Sequence, residues 1–358
     1  MKKLWISLMA GMGILACNSS YAGRTGEKNE LKNGVWQARL HRTDGVDIVF
    51  NFEVKDTQGK KVLYVLNAAD RLLVDDVKTA GDSVFIKMPF FDSEFKARFA
   101  AGGSLDGQWI RHLADKDVSI AFTAKPNTPE RFKQHAPAAR QVTGRWPAQF
   151  IAAGDKAPST AIGEFRQKGN VVHGTFLTST GDYRFLDGIM DGDTLKLSTF
   201  DGSHAYVFTG IVGKDSITNG RFFAGIGDHV ESWSAVKNNN AKLQDEKTLA
   251  TVKPGQEQLN FTFPDLNGNK VSLKDERFKN KVVVITLMGS WCPNCMDETG
   301  FLSDWYKKNK HRGVEVLGLA YERTADFEKS KKSLSGFLSR FDVQYPVLIT
   351  GVTPADPQ

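Results

Sequence analysis

The chain has 358 residues, of which 41% are hydrophobic and 25% are charged. This length is enough for two or three domains, and the composition is that of an ordinary folded protein, which excludes extensive disorder. The formal net charge of +6 lies in no basic block, and Lys2 and Lys3 of a predicted leader account for part of it, so nucleic acid is not expected as a partner.

Residues 1–22 predict an export signal. Two lysines precede an apolar stretch from Leu4 to Ala16, which is too short to cross a bilayer because a spanning helix needs about 20 residues. Two cleavage sites compete within this leader. Residues 14–17 resemble a lipobox, which would leave Cys17 lipidated and the chain attached to a membrane, whereas Ser20–Ala22 suits ordinary signal peptidase. Either route predicts an exported chain that keeps only two of its three cysteines.

The region from Gly23 to Val236 predicts antiparallel β structure throughout. Apolar residues at every second position between Val46 and Val54 indicate a half-buried strand. Gly, Asp and Asn separate the following short segments at the spacing of a β-sandwich or barrel. Further strands are predicted at residues 62–66, 83–88, 94–99, 108–111 and 119–123.

This β region contains an internal repeat of about 110 residues, a period too long for a solenoid. It predicts two similar units, residues 23–140 and 141–237, which are either paired small β-domains or the halves of one larger barrel. A polar linker, residues 238–256, leads to a C-terminal domain at residues 257–358. The repeated pairs include Gly34–Trp36 with Gly144–Trp146, Gly81–Ser83 with Gly192–Thr194, and Phe91–Asp92 with Phe200–Asp201.

Three polar residues of the second unit are candidates for a site. The repeat pairs Arg184 with Arg71 and Asp201 with Asp92, so we interpret both as serving the shared fold. His204 has no counterpart, and in a Gly-Ser-His turn it is interpreted as solvated. The tryptophans of the β region are interpreted as core, although exposed aromatics would form a binding surface for sugar or protein. They are Trp36, Trp109, Trp146 and Trp233.

The two remaining cysteines lie between a predicted strand and a predicted helix. Val282–Met288 is almost wholly apolar and β-branched, which predicts a strand buried on both faces. Pro293 to Lys308 predicts a helix, and this places Cys292 at its N-terminus, where free amides favour a thiolate and lower its pKa below about 8.5. Cys295, one turn further, can close onto Cys292, so the pair can carry two electrons. The predicted buried stripe of the helix is Phe301, Leu302, Trp305 and Tyr306.

Three alternative roles of the cysteine pair are less favoured by the sequence. Half of a zinc site lacks further ligands, because the nearest histidine, His311, is far outside ligand spacing. An inert structural disulfide between Cys292 and Cys295 would close a very small loop and stabilise little. Chance spacing is the third alternative. The order of strand, Trp291, the two cysteines and helix favours redox chemistry.

The remainder of the domain predicts two further strands and one helix. Residues 313–320 form a second buried strand, and Thr324 can cap a helix that runs to about Phe341. The following strand begins at Pro346. This order of elements implies right-handed crossovers and a central parallel sheet. The predicted apolar stripe of the second helix is Phe327, Leu334, Phe337, Leu338 and Phe341.

The segment from about Leu259 onward resembles the TlpA/ResA branch of the thioredoxin superfamily, extracytoplasmic thiol–disulfide oxidoreductases. Residues 291–295, Trp-Cys-Pro-Asn-Cys, match the WCxxC motif of that branch, although Thr299 stands where a proline is usual. Glu298 falls where the family carries an acidic residue implicated in proton transfer. Residues 261–273 resemble the family's first hairpin, with Asn267-Gly268 as its turn.

The β pattern of the N-terminal region and the resemblance of the C-terminal part together predict a multidomain fold. An N-terminal all-β antiparallel region of two similar units precedes an α/β thioredoxin-like domain that lacks its C-terminal elements. The thioredoxin fold requires a cis-proline opposite the cysteines, a closing hairpin and a last helix, and Pro346 cannot supply the first of these. We therefore expect a fragment of a longer protein, since a sheet that ended at Ile349 would have a bare central edge.

The resemblance also implies a periplasmic or membrane-anchored protein disulfide reductase without cofactor or metal. Cys292 would attack a disulfide of an exported protein substrate, Cys295 would resolve the intermediate, and Glu298 would assist proton transfer. Trp291 and Pro293 would contact the substrate, and a membrane thiol-electron carrier would supply the electrons. One alternative is a peroxiredoxin-like peroxidase, although Gly289 stands where that chemistry needs a threonine. Another is a surface binding module with a vestigial redox domain.

Overall fold

The computed structural model describes residues 29–89, 92–113, 116–179, 181–227, 229–245, 248, 255, 257–354 and 356. Within these ranges two nine-stranded antiparallel sheets are followed by a small α/β domain. The predicted leader and Cys17 lie outside the described residues, and the linker is described only in part. Neither of the described α-helices is long and apolar enough to cross a membrane.

In the first sheet, strands that are consecutive in the chain lie next to each other, apart from β4 and β5 at the two edges. Its spatial order is β4-β3-β2-β1-β9-β8-β7-β6-β5, so the last strand pairs with the first. Strand β2 contains the predicted alternation, and Ile48, Phe50, Phe52 and Val54 are all buried. The strands are β1 (Gly34–His41), β2 (Asp47–Thr57), β3 (Lys60–Asn67), β4 (Asp70–Val74), β5 (Asp76–Ala80), β6 (Ser83–Lys87), β7 (Ser93–Phe99), β8 (Leu105–His112) and β9 (Asp117–Pro126).

The second sheet repeats most of this arrangement and closes on itself, because β12 pairs with both β11 and β14. Among the described strands, none pairs across the two sheets, so the β region consists of two separate units and not of one larger barrel. The unit boundaries drawn from the sequence stay a prediction. The strands are β10 (Gly144–Ala152), β11 (Ser159–Lys168), β12 (Val171–Thr178), β13 (Gly181–Asp182), β14 (Leu186–Asp191), β15 (Thr194–Phe200), β16 (Ala205–Val212), β17 (Ser216–Ala224) and β18 (Val230–Val236).

The two units share local details that confirm the repeat. The indole N–H of Trp36 donates to the carbonyl of Lys32 at 2.8 Å, and that of Trp146 donates to the carbonyl of Val142 at 2.7 Å. Each bond reaches four residues back along the chain, near the start of the first strand of its unit. All four tryptophans of the β region are buried, which confirms their interpretation as core.

The strand register corrects the pairing of polar residues between the repeats. In the first unit Leu66 faces Arg71 across a hairpin, and in the second Leu177 faces Asp182, so Asp182 and not Arg184 occupies the position of Arg71. The shared position of Asp92 and Asp201 is also misleading, because Asp92 is exposed and Asp201 is buried.

His204 is not solvated as predicted. Its side chain is only 22% exposed, and its Nδ1 lies 3.0 Å from the carboxylate of Asp201. The same carboxylate accepts bonds from the backbone N–H groups of Ser203 and His204. A local bond of this kind cannot be read from the residue types, since a Gly-Ser-His turn leaves the direction of the ring open.

The second unit inserts a side chain into the core of the first. Phe200 at the end of β15 is fully buried, and its ring stacks on Phe50 of the first sheet with centroids 4.2 Å apart. Arg131, between the sheets in sequence, donates to the carbonyls of Ser198 and Leu66 and so bonds to both units. The interior of the first unit is filled by apolar side chains, leaving a cavity of about 10 Å³. That is room for about one water molecule.

The C-terminal domain is a three-stranded parallel sheet with two helices and a preceding hairpin, as predicted. Its sheet order is β21-β22-β23, and Gly268 supplies the positive φ of 84° that the hairpin turn needs. Asp265, next to the hairpin, bridges to Leu348 of the last strand. The elements are β19 (Thr262–Pro264), β20 (Lys270–Ser272), β21 (Val282–Met288), α1 (Pro293–Asn309), β22 (Val314–Ala320), α2 (Phe327–Arg340) and β23 (Val347–Ile349).

Three details of this domain differ from the predictions. Strand β21 is not buried on both faces, because it pairs only with β22 among the described strands and Val282 and Leu287 are exposed. Helix α1 does not bury Phe301, which is 67% exposed. Helix α2 is capped by Asp326, whose carboxylate accepts from the N–H of Lys329, and not by Thr324.

Candidate functional site

The two cysteines lie on the corner between β21 and α1. Cys292 is the N-cap of the helix, with an extended backbone, and its sulfur accepts from the N–H of Cys295 at 3.3 Å. Pro293 follows in the first helical turn, where its missing N–H costs no hydrogen bond. The Cα atoms of the two cysteines are 5.2 Å apart, and their sulfur atoms lie at bonding distance, as in a disulfide. The corner therefore presents a pair that can change between disulfide and dithiol.

Trp291 is held in place beside the cysteines. Its indole N–H donates to the carbonyl of Tyr321 at 2.8 Å, and the guanidinium of Arg323 lies 4.9 Å from the ring centroid. Gly289 is required below this ring, because a Cβ at that position would overlap the indole nitrogen. The Trp291 ring is thus fixed by a hydrogen bond, a cation and a glycine.

Glu322 is a site residue that the sequence reasoning missed. Its side chain is buried and accepts from both the N–H and the hydroxyl of Ser290, each at 2.8 Å. Burial raises the pKa of this carboxyl, although the two bonds from Ser290 and the nearby Arg323 oppose the shift. Its signal was its place just after β22, since the carboxyl ends of neighbouring parallel strands meet at one edge of a sheet.

The predicted site residues all lie at or near the start of α1, but their side chains differ in exposure. Cys292, Cys295 and Trp291 are half-buried, and Pro293 is buried. Glu298 is exposed on the outside of the helix.

The β region contacts the first turn of the cysteine helix. Arg184, which is only 7% exposed, donates from one guanidinium nitrogen to the carbonyl of Pro293 at 3.1 Å and to the carboxylate of Asp297 at 2.7 Å. The amide of Asn294, oriented to satisfy both of its groups, bonds to the N–H and the carboxylate of Asp182, each at 3.2 Å. Pro293 and Asn294 are the two residues between the cysteines.

Several carboxylates surround Arg184. The Nε of Arg184 lies 3.9 Å from the carboxylate of Asp201. Burial raises the pKa of Asp201, but His204 and Arg184 outweigh it, so the pKa of this carboxyl is lowered. Burial also raises the pKa of Asp297 and of Asp70, against the opposing cation of Arg184. One guanidinium therefore balances acidic groups from both β units and from the C-terminal domain.

The arrangement is suited to thiol–disulfide exchange. A sulfur at the start of a helix receives the favourable end of the helix dipole, which stabilises a thiolate. A second sulfur one turn away can displace a bound partner. Within the described ranges, His, Cys, Asp and Glu side chains form no group of three that could hold a metal ion.

Comparisons with known proteins find sequence similarity around this site. Residues 254–350 match the AhpC/TSA family. The chain is 35% identical over 95 residues to "Thiol-disulfide oxidoreductase ResA" of Bacillus thuringiensis subsp. konkukian, which covers 26% of this chain and 50% of that protein. It is 28% identical over 99 residues to the protein of the same name from Bacillus subtilis. This match covers 28% of the present chain and 51% of the relative.

The chain thus spans about half the length of the curated relatives it matches. Among solved structures, a thiol-disulfide oxidoreductase from Bacteroides fragilis is 19% identical, with 27% of this chain and 68% of that chain covered and a TM-score of 0.24. Because this score is low, the thioredoxin-like fold of the C-terminal domain rests on its strand order and on the sequence matches.

Proposed function

We propose that the protein is an extracytoplasmic thiol–disulfide oxidoreductase that acts as a protein disulfide reductase. The observation that carries the proposal is the position of Cys292 as the N-cap of α1, with Cys295 within bonding distance one turn further. The similarity of the C-terminal domain to proteins named thiol–disulfide oxidoreductase supports the same reaction class.

In the proposed reaction, the Cys292 thiolate attacks one sulfur of a substrate disulfide. A mixed disulfide forms, and the other substrate sulfur leaves as a thiolate that takes up a proton. Cys295 then loses its proton and attacks the Cys292 sulfur, which releases the second substrate thiol and leaves the Cys292–Cys295 disulfide. The substrate is reduced by two electrons and the pair is oxidised by two. A membrane thiol-electron carrier restores the dithiol.

The neighbouring residues have proposed roles that follow from their positions. Glu298, exposed one turn beyond Cys295, exchanges the proton of the resolving thiol with solvent. Trp291 forms a fixed wall beside the cysteines, since its indole is bonded to the Tyr321 carbonyl, and it contacts the substrate. Pro293 would contribute to the substrate surface only at its edge, because it is buried.

The location is part of the proposal. The leader directs the chain out of the cytoplasm, and lipidation of Cys17 would attach it to the membrane on the periplasmic side. The substrates are then exported proteins that contain disulfides. The two β units, residues 23–140 and 141–237, and the linker that follows them form the part of the protein that precedes the redox domain.

The test is reduction of insulin by the full-length chain with an added dithiol reductant. We expect C292S to abolish turnover, because Cys292 forms the mixed disulfide with the substrate in the proposed reaction. The matched control is C17S, which removes a cysteine outside the pair and should retain full activity. Equal activity of wild type and C292S would reject the proposed mechanism. Consumption of hydrogen peroxide coupled to oxidation of Cys292 would instead favour the peroxidase alternative.

A further inference from the structure

The segment that follows β12 bonds to Pro293 and Asn294, the two residues between the cysteines. We propose that Gly181–Arg184 is a docking element for the first turn of α1, and that Arg184 is a positioning residue of the redox pair. This inference rests on the proposed function, but its test measures the reactivity of Cys292 and not turnover of a substrate.

The first support is the burial and direction of Arg184. Its side chain is 7% exposed, yet its two close bonds go to Pro293 and Asp297 of the other domain. Its backbone has a φ of 64°, a conformation that side chains other than glycine seldom adopt. Asp182 stabilises this turn, because its carboxylate accepts from the N–H of Arg184 at 2.9 Å. A strained turn that presents a buried cation to a neighbouring domain indicates a specific contact.

The second support is the fit between Gly181 and Asn294. Gly181 has a φ of 146°, and a Cβ there would overlap the side-chain amide of Asn294. The absence of a side chain is what lets Asn294 bond to the backbone and carboxylate of Asp182. Two separate contacts, one by Arg184 and one by Asp182, therefore hold the same helical turn.

The third support is charge. A cation beside the N-terminal turn of α1 adds to the helix dipole and favours a thiolate at Cys292, whereas the surrounding carboxylates disfavour it. Arg184 is the cation that bonds this turn directly. The charged groups around the turn are Asp70, Arg111, Asp182, Arg184, Asp201 and His204 of the β region, and Asp297, Glu298, Glu322 and Arg323 of the C-terminal domain.

The consequence is that the β region influences the reactivity of the cysteines. With Arg184 in place, the carboxylates of Asp201 and Asp297 are balanced and Cys292 ionises more readily. Without it, their negative charge acts on the sulfur. The dithiol form is then less stabilised, so the pair becomes a stronger reductant with a slower attacking thiol.

The test uses the full-length chain with C295S, so that the pair cannot close. Alkylation of Cys292 by iodoacetamide is followed by peptide mass spectrometry as a function of pH. We expect R184Q to slow alkylation at neutral pH by roughly threefold to tenfold and to move the midpoint to higher pH. R184K keeps the charge and should restore most of the rate.

The matched control is R145Q. Arg145 bonds to the Glu164 carboxylate and to the carbonyl of Ala241, both within the β region and the linker, so its loss should leave the alkylation profile unchanged. A profile for R184Q that superimposes on that of wild type overturns the proposal. An equal shift in R145Q also overturns the proposal, because loss of any one positive charge in the β region would then have the same effect on Cys292.

A second variant guards against poor folding of R184Q. G181A changes no charge but would push Asn294 away from Asp182, and we expect it to shift alkylation in the same direction as R184Q. An unchanged profile in folded G181A would contradict the docking element. Because alkylation reports only the Cys292 thiol, a chain that fails to reduce insulin can still give either result, so the two proposals fail separately.

Discussion

Phe200 of the second β unit stacks on Phe50 of the first, with ring centroids 4.2 Å apart and planes inclined by 18°. Phe200 also lies edge-on to Trp109, with centroids 5.2 Å apart. Phe200 therefore belongs to the core of the first unit, together with Ala205 and Val207. Because of this contact, we expect the stability of each unit to depend on the other.

Removal of Phe200 should destabilise both β units. We expect F200A to lower the free energy of unfolding by about 3–5 kcal/mol, because a buried phenylalanine is lost and a cavity remains between the units. Urea denaturation followed by circular dichroism measures this. The control is F85A at a site that is 39% exposed, where the change should stay within about 0.5 kcal/mol. Similar losses of unfolding free energy in F200A and F85A would contradict the role of Phe200 as a core residue shared by the two units.

The buried carboxyl of Glu322 predicts a pH dependence of stability. Its pKa is raised above the ordinary value of 4.5, so the folded chain holds this proton more tightly than the unfolded chain does. The ionised form therefore costs stability at neutral pH, and the cost falls as the pH drops through the folded pKa.

Replacement by glutamine should remove this dependence. The amide of E322Q can accept from the N–H of Ser290 and donate to its hydroxyl, so both bonds can be kept. We expect E322Q to gain stability relative to wild type at pH 8 compared with pH 5, as measured by urea denaturation at each pH. E328Q, which changes an exposed carboxylate, is the control. A difference between E322Q and wild type that is the same at both pH values would contradict the assignment.

The order of the two cysteines predicts a trapped intermediate. In C295S the Cys292 thiolate can still attack a substrate disulfide, but no second thiol releases the product. We expect C295S to accumulate a covalent complex with a disulfide-bearing protein, visible as a larger species on non-reducing gels and removed by dithiothreitol. C292S should accumulate far less. The reverse result would assign the attacking role to Cys295.

Gly289 should tolerate no side chain. An added methyl group would overlap the indole nitrogen of Trp291, so the ring would have to move and lose its bond to Tyr321. We expect G289A to lower the free energy of unfolding by about 1–3 kcal/mol. G336A is the control, because nothing lies within 4 Å of its Cβ in α2, and alanine there should stabilise by about 0.5–1 kcal/mol. Equal effects of the two substitutions would contradict the packing of Trp291.

Local patterns in the sequence predicted most of the architecture. The alternation around Phe50 located a strand, and Gly268 located the hairpin turn, since each depends on residues next to each other. The repeat predicted two β units because both copies keep the same buried tryptophan at the same place, Trp36 and Trp146. The cysteine corner was also predictable, because strand, glycine, proline and helix follow one another directly.

Contacts between distant segments could not be predicted in this way. The sequence of α1 offers Phe301 as well as Leu302 to a core, and only the position of the sheet decides that Leu302 is buried. Arg184 was assigned to the fold of its own unit, whereas its partners lie more than 100 residues further along the chain. Glu322 is close to the cysteines only because β21 and β22 are neighbours.

The two β units contain equivalent hairpins, but each hairpin has different neighbours. At the position where the second copy presents Gly181 and Asp182 to the cysteine helix, the first has Asp70 and Arg71. The duplicated modules are therefore not interchangeable. In a chimera that carried two copies of the first unit, Asp70 and Arg71 would stand in place of Gly181 and Asp182, so the bonds between Asp182 and Asn294 would be lost. The specialisation of the second unit therefore lies in one short hairpin.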